Sequence, residues 1–188
     1  MDNNTLLGGI KVNHSGTVEI ETTRLLLRRF VPLDAAKMYQ NWASDDEVTR
    51  YLTWEPHQNV FMTLCVLYEW IHHYKDMTYY QWGIEYQGEL IGSIGVYNVQ
   101  NTRAEIGYCL SRAYWGRNIM TEAVQGVIAH LFNCGFSELT ARFQVENKAS
   151  GRVMEKCGMT YVDTCDFSNE NEPEKTYQCA VYHIVNQG

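Results

Sequence analysis

"AEIGYCLSRAYWGRNIMTEA", residues 104–123, changes its hydrophobic period partway along. Ala104, Ile106, Tyr108 and Leu110 alternate with Glu105, Gly107 and Cys109, the two-residue period of a strand. After Trp115, the apolar positions Met120, Ala123, Val124, Val127, Ile128 and Leu131 follow helical spacing, and Gly135 supplies a stop. Between the two lies Trp115-Gly116-Arg117-Asn118. A helix that begins directly after this turn offers unpaired backbone N–H groups and the positive end of its dipole. Gly116 lets a ligand approach the backbone, Asn118 tolerates a left-handed conformation, and Arg117 adds a charge suited to phosphate. The stretch is therefore a candidate anion cradle, although an ordinary strand-to-helix connection has the same outline.

Outward from this stretch, helices and strands alternate in a particular order. "TTRLLLRRF" reads as a first strand. "PLDAAKMYQNWASDDEV" begins a helix at Pro32 and Asp34, and Val60, Leu64, Leu67, Tyr68 and Ile71 mark a second. Three strand patterns follow, "YYQWGIEY", "ELIGSIGVYNV" and "AEIGYCL", the first two joined by a Gln87-Gly88 hairpin signal. "ELTARFQV" is a strand; Asn147 can cap a short helix that Gly158 ends; and "MTYVDTCD" and "KTYQCAVYHI" flank the polar loop "FSNENEPE". A meander followed by strands separated by helices implies an α/β (α+β) fold with a mixed, mostly antiparallel sheet flanked by helices. The 188 residues suit one domain, with the polar residues 1–16 as a loose N-terminal arm.

Composition narrows the function. Lys and Arg number 15 against 22 Asp and Glu, a net charge of -7, which disfavours nucleic-acid binding and suits an amine-bearing partner. Six cysteines without a CxxC pair read as reduced, mostly core residues of a cytoplasmic protein. No segment approaches the roughly 20 apolar residues of a membrane span. His72 and His73 are adjacent rather than one turn apart, so no metal site is expected there. Neither GxGxxG nor GxxxxGK[ST] occurs.

"YWGRNIMTEA", the preceding "AEIGYCLS" and the later "NKASGRVMEKCGM" resemble consecutive motifs of the GCN5-related N-acetyltransferases (GNAT). Within that superfamily the closest similarity is to the branch of ribosomal-protein N-terminal acetyltransferases, which also shows an opening like "TTRLLLRRFVPLDAAKMYQNW". The resemblance spans about Thr22 to Val181. It implies acetyl-CoA as co-substrate, with its pyrophosphate on Trp115, Gly116, Arg117, Asn118, Ile119, Met120 and Thr121. It also implies a pantetheine arm beside Tyr108, Cys109 and Leu110, where free backbone groups can pair with its amides as an added strand does. Asn147 is then a further pantetheine contact.

Glu105 becomes the candidate base for an acceptor amine, which near pKa ~10 is mostly protonated at neutral pH. The small residues Gly107 and Cys109 on its face leave room for substrate, and backbone N–H near Cys109 can stabilise the oxyanion. Ser150 is the candidate acid for the departing sulfur. Two positions depart from the family pattern: Asn118 stands where a second glycine is usual, and Met154 where many relatives carry a tyrosine acid. The implied activity is acetyl transfer to a primary amine, of a protein N-terminus or a small molecule, by direct attack. The competing reading is an acyl-CoA-binding sensor or scaffold without turnover. A homodimer is compatible with the chain.

Overall fold

Among the described residues eight strands form one sheet: β1 (Ile20–Glu21), β2 (Leu25–Arg28), β3 (Tyr80–Tyr86), β4 (Glu89–Gln100), β5 (Arg103–Leu110), β6 (Glu138–Gln144), β7 (Thr160–Asn169) and β8 (Glu172–Val185). Their spatial order is β1-β2-β3-β4-β5-β6-β8-β7. This computed structural model describes the backbone of residues 11–169 and 172–187, and the side chains of these except 169 and 172–175. Every neighbouring pair is antiparallel except β5 and β6, which run parallel through Arg103↔Glu138, Ala104↔Leu139 and Glu105↔Thr140. Beyond Glu105 that register ends, while β5 stays paired with β4 to Leu110 and β6 with β8 to Gln144. The sheet consequently splits into a wedge flanked by residues 106–110 and 141–144. That wedge positions the functional site.

The helices cover both faces. α4 (Ile119–Asn133) buries Met120, Ala123, Val124, Val127, Ile128 and Leu131, the positions its spacing predicts, against Ala104, Ile106 and Leu110 of β5. α5 (Lys148–Lys156) lies close on β6: a Cβ added to Gly151 would sit 2.6 Å from Phe143 Cζ. On the opposite face, α1 (Ala35–Met38), α2 (Asp46–Thr49) and α3 (Val60–His73) enclose Phe30, Met38, Trp42, Leu67 and Leu90.

Several expectations change. The helix read from Pro32 to Val48 is broken in two, because α1 runs into a wide π turn, Tyr39–Ala43, and Ser44 Oγ donates to Tyr39 O at 2.8 Å. Asp45 then caps α2, accepting from Glu47 N–H at 2.9 Å. The short β1 is an addition, and β7 and β8 extend into the supposed "FSNENEPE" loop, as far as Asn169 and from Glu172. Part of the loose arm is tied down: Val12 is buried, Asn13 N–H donates to Cys134 O at 2.8 Å, and Gly16 N–H donates to Met77 O at 2.7 Å. The rest of that arm, residues 1–10, lies outside the described residues. All six cysteines are free, with Cys157 and Cys179 buried but Cys65 exposed on α3. Among the described residues no helix is long and apolar enough to cross a membrane.

Two histidines make stability depend on pH. Burial holds His57, whose Nδ1 lies 2.8 Å from Thr63 Oγ1, and His130 below the ordinary imidazole value of 6.5. As pH falls through 6.5 the unfolded chain takes up these protons before the folded one, so stability is present above that pH and declines below it. Denaturation midpoints measured on either side of pH 6.5 are expected to show this fall, and a variant with both histidines changed to glutamine should show less of it. An equal fall in that variant would assign the dependence to other groups.

Candidate active site

A cavity of about 500 Å³ occupies the mouth of the wedge. Its walls are Tyr108, Cys109 and Leu110 from β5, Trp115 to Thr121 from the turn and the start of α4, Asn147 at the cap of α5 and Ser150 within that helix. The candidate acyl-carrier residues are thus brought together. Glu47, Val48, Arg50, Tyr51 and Leu52, from α2 and the segment after it, complete the enclosure and were missed in the sequence. Lys148, Arg152 and Lys156 were missed too, although their four-residue spacing on one helical face was a readable signal. With Arg50 and Arg117 they set five cations against Glu47 and Glu146 around the cavity of an otherwise acidic protein. Such segregation draws in a polyanion.

The turn has the geometry of an anion cradle. Gly116 has φ +73°, and Asn118 adopts the left-handed region at φ 56°, ψ 19°. Lys156 Nζ donates to Asn118 Oδ1 at 2.7 Å. The first bond into α4 is Glu122 N–H to Asn118 O at 3.1 Å, so the N–H groups of the preceding helical residues have no acceptor within the helix. The Arg117 guanidinium stacks over Tyr114 and Tyr86, 5.3 and 5.4 Å from their ring centroids.

Arg24, far away in sequence, fastens the turn from behind. It donates from Nε to Glu122 Oε2 at 2.6 Å and from Nη1 to Arg117 O at 3.2 Å, while Thr22 Oγ1 donates to Glu122 Oε1 at 2.6 Å. Arg24→Ala is expected to weaken acetyl-CoA binding about fivefold, as befits loss of partly exposed charge-assisted bonds that only position the cradle. Calorimetric titration checks this; an unchanged Kd would mean the turn holds its shape unaided.

Strand pairing decides which backbone groups face the wedge. Ser111 N–H donates to Ile91 O at 2.8 Å, which turns Ser111, and by alternation Cys109, toward β4. Tyr108 and Leu110 therefore face the gap. The expectation of free groups from Tyr108 to Leu110 needs two corrections: those of Cys109 face β4, and Trp115 Nε1 donates to Leu110 O at 2.8 Å and occupies that carbonyl.

At the inner end, Asn147 caps α5 by accepting from Ser150 N–H at 3.3 Å, which leaves its Nδ2 donors for a ligand. Tyr108 Oη lies 3.0 Å from Ser150 Oγ and 3.1 Å from Ser150 O. Met154 is buried in the core and does not line the cavity. Cys109 Sγ lies 3.3 Å from Ser93 Oγ, and burial pushes its thiol up to about 11, so it is not a ready nucleophile.

Glu105 sits apart from the cavity walls. Arg142 clasps both its oxygens, Nε to Oε1 at 2.5 Å and Nη2 to Oε2 at 2.7 Å, and Asn98 Nδ2 donates to Oε2 at 2.8 Å. The room expected above Gly107 is filled by the ring of Tyr97: a Cβ on Gly107 would lie 2.9 Å from Tyr97 Cε2. A second, polar cavity of about 210 Å³ shares Arg50 and Leu52 with the first and is lined further by Asp46, Trp54, Glu55, Gln144 and Phe167.

Comparison with known proteins identifies the family. The acetyltransferase (GNAT) domain family matches residues 24–160. The chain is 32% identical over 144 residues, 74% of its own length and 81% of the relative's, to the uncharacterized N-acetyltransferase YoaA of Bacillus subtilis (strain 168). Its fold is similar to that of a GNAT-family acetyltransferase from Bacillus anthracis, at 25% identity and a TM-score of 0.76, covering 89% of this chain and 98% of that one. It is also similar to RimL, a ribosomal alpha-N-protein acetyltransferase solved in complex with coenzyme A, at 19% identity and a TM-score of 0.79, with 89% and 98% covered. The split sheet, the cradle turn and these matches converge: the chain belongs to the GNAT acetyltransferase family, N-acetyltransferases whose acetyl donor is acetyl-CoA.

Proposed function

We propose that this protein moves the acetyl group of acetyl-CoA to a primary amine, of a protein N-terminus or a small molecule, by direct attack without a covalent enzyme intermediate. The observation that carries the reading is the cavity of about 500 Å³ that joins the left-handed turn at Asn118 to the free edge of β5. The turn and its surrounding cations hold the phosphates. The edge of β5 and Asn147 hold the pantetheine arm, and Ser150 stands at the sulfur. RimL, which shares the fold, is solved in complex with coenzyme A, which supports a coenzyme A thioester as the ligand.

The acceptor enters from the smaller cavity, whose polar walls and shared residues Arg50 and Leu52 give it access to the thioester. Glu105 takes the ammonium proton through a water: Arg142 and Asn98 occupy three of the four lone-pair directions of its carboxylate, and one remains. The Leu110 N–H, facing the gap, stabilises the oxyanion. Transfer through Cys109 is disfavoured, since its thiol stays protonated at neutral pH. The six free thiols suit a reducing, cytoplasmic compartment.

The test is calorimetric titration with acetyl-CoA, followed by thiol release against a panel of small amines and N-terminal peptides. Binding with release is the expected result, and the acceptor that gives it names the substrate class. Failure to bind acetyl-CoA would overturn the assignment of the turn; binding without release from any acceptor would favour a sensor.

A further inference from the structure

The family's tyrosine position is taken by the buried Met154, yet a phenol still reaches the inner end of the cavity, from β5 rather than from α5. Tyr108 Oη has two acceptors at nearly equal distance, Ser150 Oγ at 3.0 Å and Ser150 O at 3.1 Å. Each arrangement fixes where the serine proton points. When the phenol donates to Ser150 O, Ser150 Oγ–H donates back to Tyr108 Oη and is turned away from the cavity. When the phenol donates to Ser150 Oγ, the serine proton is free to point at a ligand.

We propose that Tyr108 is a positioning residue for Ser150: as charge forms on the departing sulfur, the phenol switches its donation from Ser150 O to Ser150 Oγ and frees the serine hydroxyl to donate to the thiolate. This inference rests on the acetyl-CoA reading of the cavity and adds to it. No proton leaves either hydroxyl. The new C–N bond forms, the C–S bond breaks with its electron pair on sulfur, the amine proton goes to the base, and the thiolate is held by Oγ–H until water protonates it.

Such a rotor favours the transition state over the ground state, because a neutral thioester sulfur is a weak acceptor and gives the serine proton little reason to turn. Burial keeps the phenol protonated well above its usual range, so it is a donor at every working pH. Gly151 seats α5, the helix that carries Ser150, closely on Phe143 of β6.

The experiment is an ultraviolet titration of the CoA thiol bound to the full chain, with the spectrum of the protein alone subtracted. Burial holds Cys109 up at about 11 and Cys157 up at about 12, which separates their titration from that of the ligand. Bound CoA is expected to ionise below free CoA. Ser150→Ala should raise the midpoint by about one unit, the loss of one hydrogen bond to an anion; Tyr108→Phe should raise it by less, because the phenol strengthens that bond without making it; and the double variant should raise it by no more than Ser150→Ala alone. The charged neighbours Glu146, Lys148, Arg152 and Lys156 are common to all four proteins, so the differences isolate the hydroxyls.

Affinity for S-methyl-CoA, which carries no ionisable sulfur, is expected to be unchanged in Tyr108→Phe; a merely structural role would weaken it. A wild-type midpoint in Tyr108→Phe, additive shifts in the double variant, or lost S-methyl-CoA affinity would each overturn the proposal. If wild type binds neither CoA nor S-methyl-CoA, the acetyl-CoA reading itself fails and takes this inference with it.

Discussion

Asn118→Val is expected to weaken acetyl-CoA binding by roughly 10- to 30-fold, while Asn118→Gly stays within about threefold of wild type. Asn118 holds φ 56° at the entrance to α4, a conformation a β-branched residue adopts only with strain. In the free protein a valine turn can relax away from that region. Binding must then restore the left-handed geometry, and the cost of doing so appears in Kd. Valine also removes the oxygen that accepts from Lys156 Nζ, so the cation is no longer anchored at the cradle. Glycine loses the same contact but regains the backbone freedom that the family usually has here, and the two effects oppose each other. Calorimetric titration of the three proteins, with thermal melts to confirm folding, decides the matter; a valine variant that binds like wild type would show that the phosphates do not sit on this turn.

The same residue shows how far the sequence could be read. Asn118 and Gly116 were legible because few residue types tolerate left-handed backbone, and both adopt it. The inward face of α4 was legible because burial enforces helical spacing over four turns. What escaped depends on contacts between distant segments. Nothing local announces that Arg24 clasps Glu122, that Arg142 clasps Glu105, or that Tyr97 folds over Gly107. Alternation placed Glu105 and Gly107 on one face of β5, but it is silent on what a neighbouring strand lays over that face. The split of the sheet is equally non-local: β5 and β6 match only at three residue pairs, and their divergence follows from each being held by another partner, β4 and β8. Breakage of the first helix at Ser44 escaped because an apolar face can continue across a wide turn that only the hydrogen bonds reveal.

Glu105→Gln is expected to lower kcat at neutral pH by about 100-fold, with the acetyl-CoA Kd within about twofold of wild type. The split between the two constants follows from position: Glu105 does not line the acyl-carrier cavity, so its loss cannot act through cofactor contacts. Glutamine is nearly isosteric and retains one oxygen for Arg142, so the β5–β6 junction at Glu105↔Thr140 should persist and the melting temperature move little. A proton-transfer role has a further signature. Above the pKa of the acceptor, near ~10 for an alkylamine, the neutral nucleophile is already abundant and the deficit of the variant should narrow. Arg142→Met provides the contrast. It leaves the carboxylate in place but removes the clasp that orients it, and a smaller fall in kcat, about tenfold, is expected. If Glu105→Gln instead lowers stability while kcat and its pH profile stay as in wild type, the Glu105–Arg142 pair is a rivet between β5 and β6 and the base must be sought on the smaller cavity, which Glu105 does not line and whose carboxylates are Asp46 and Glu55.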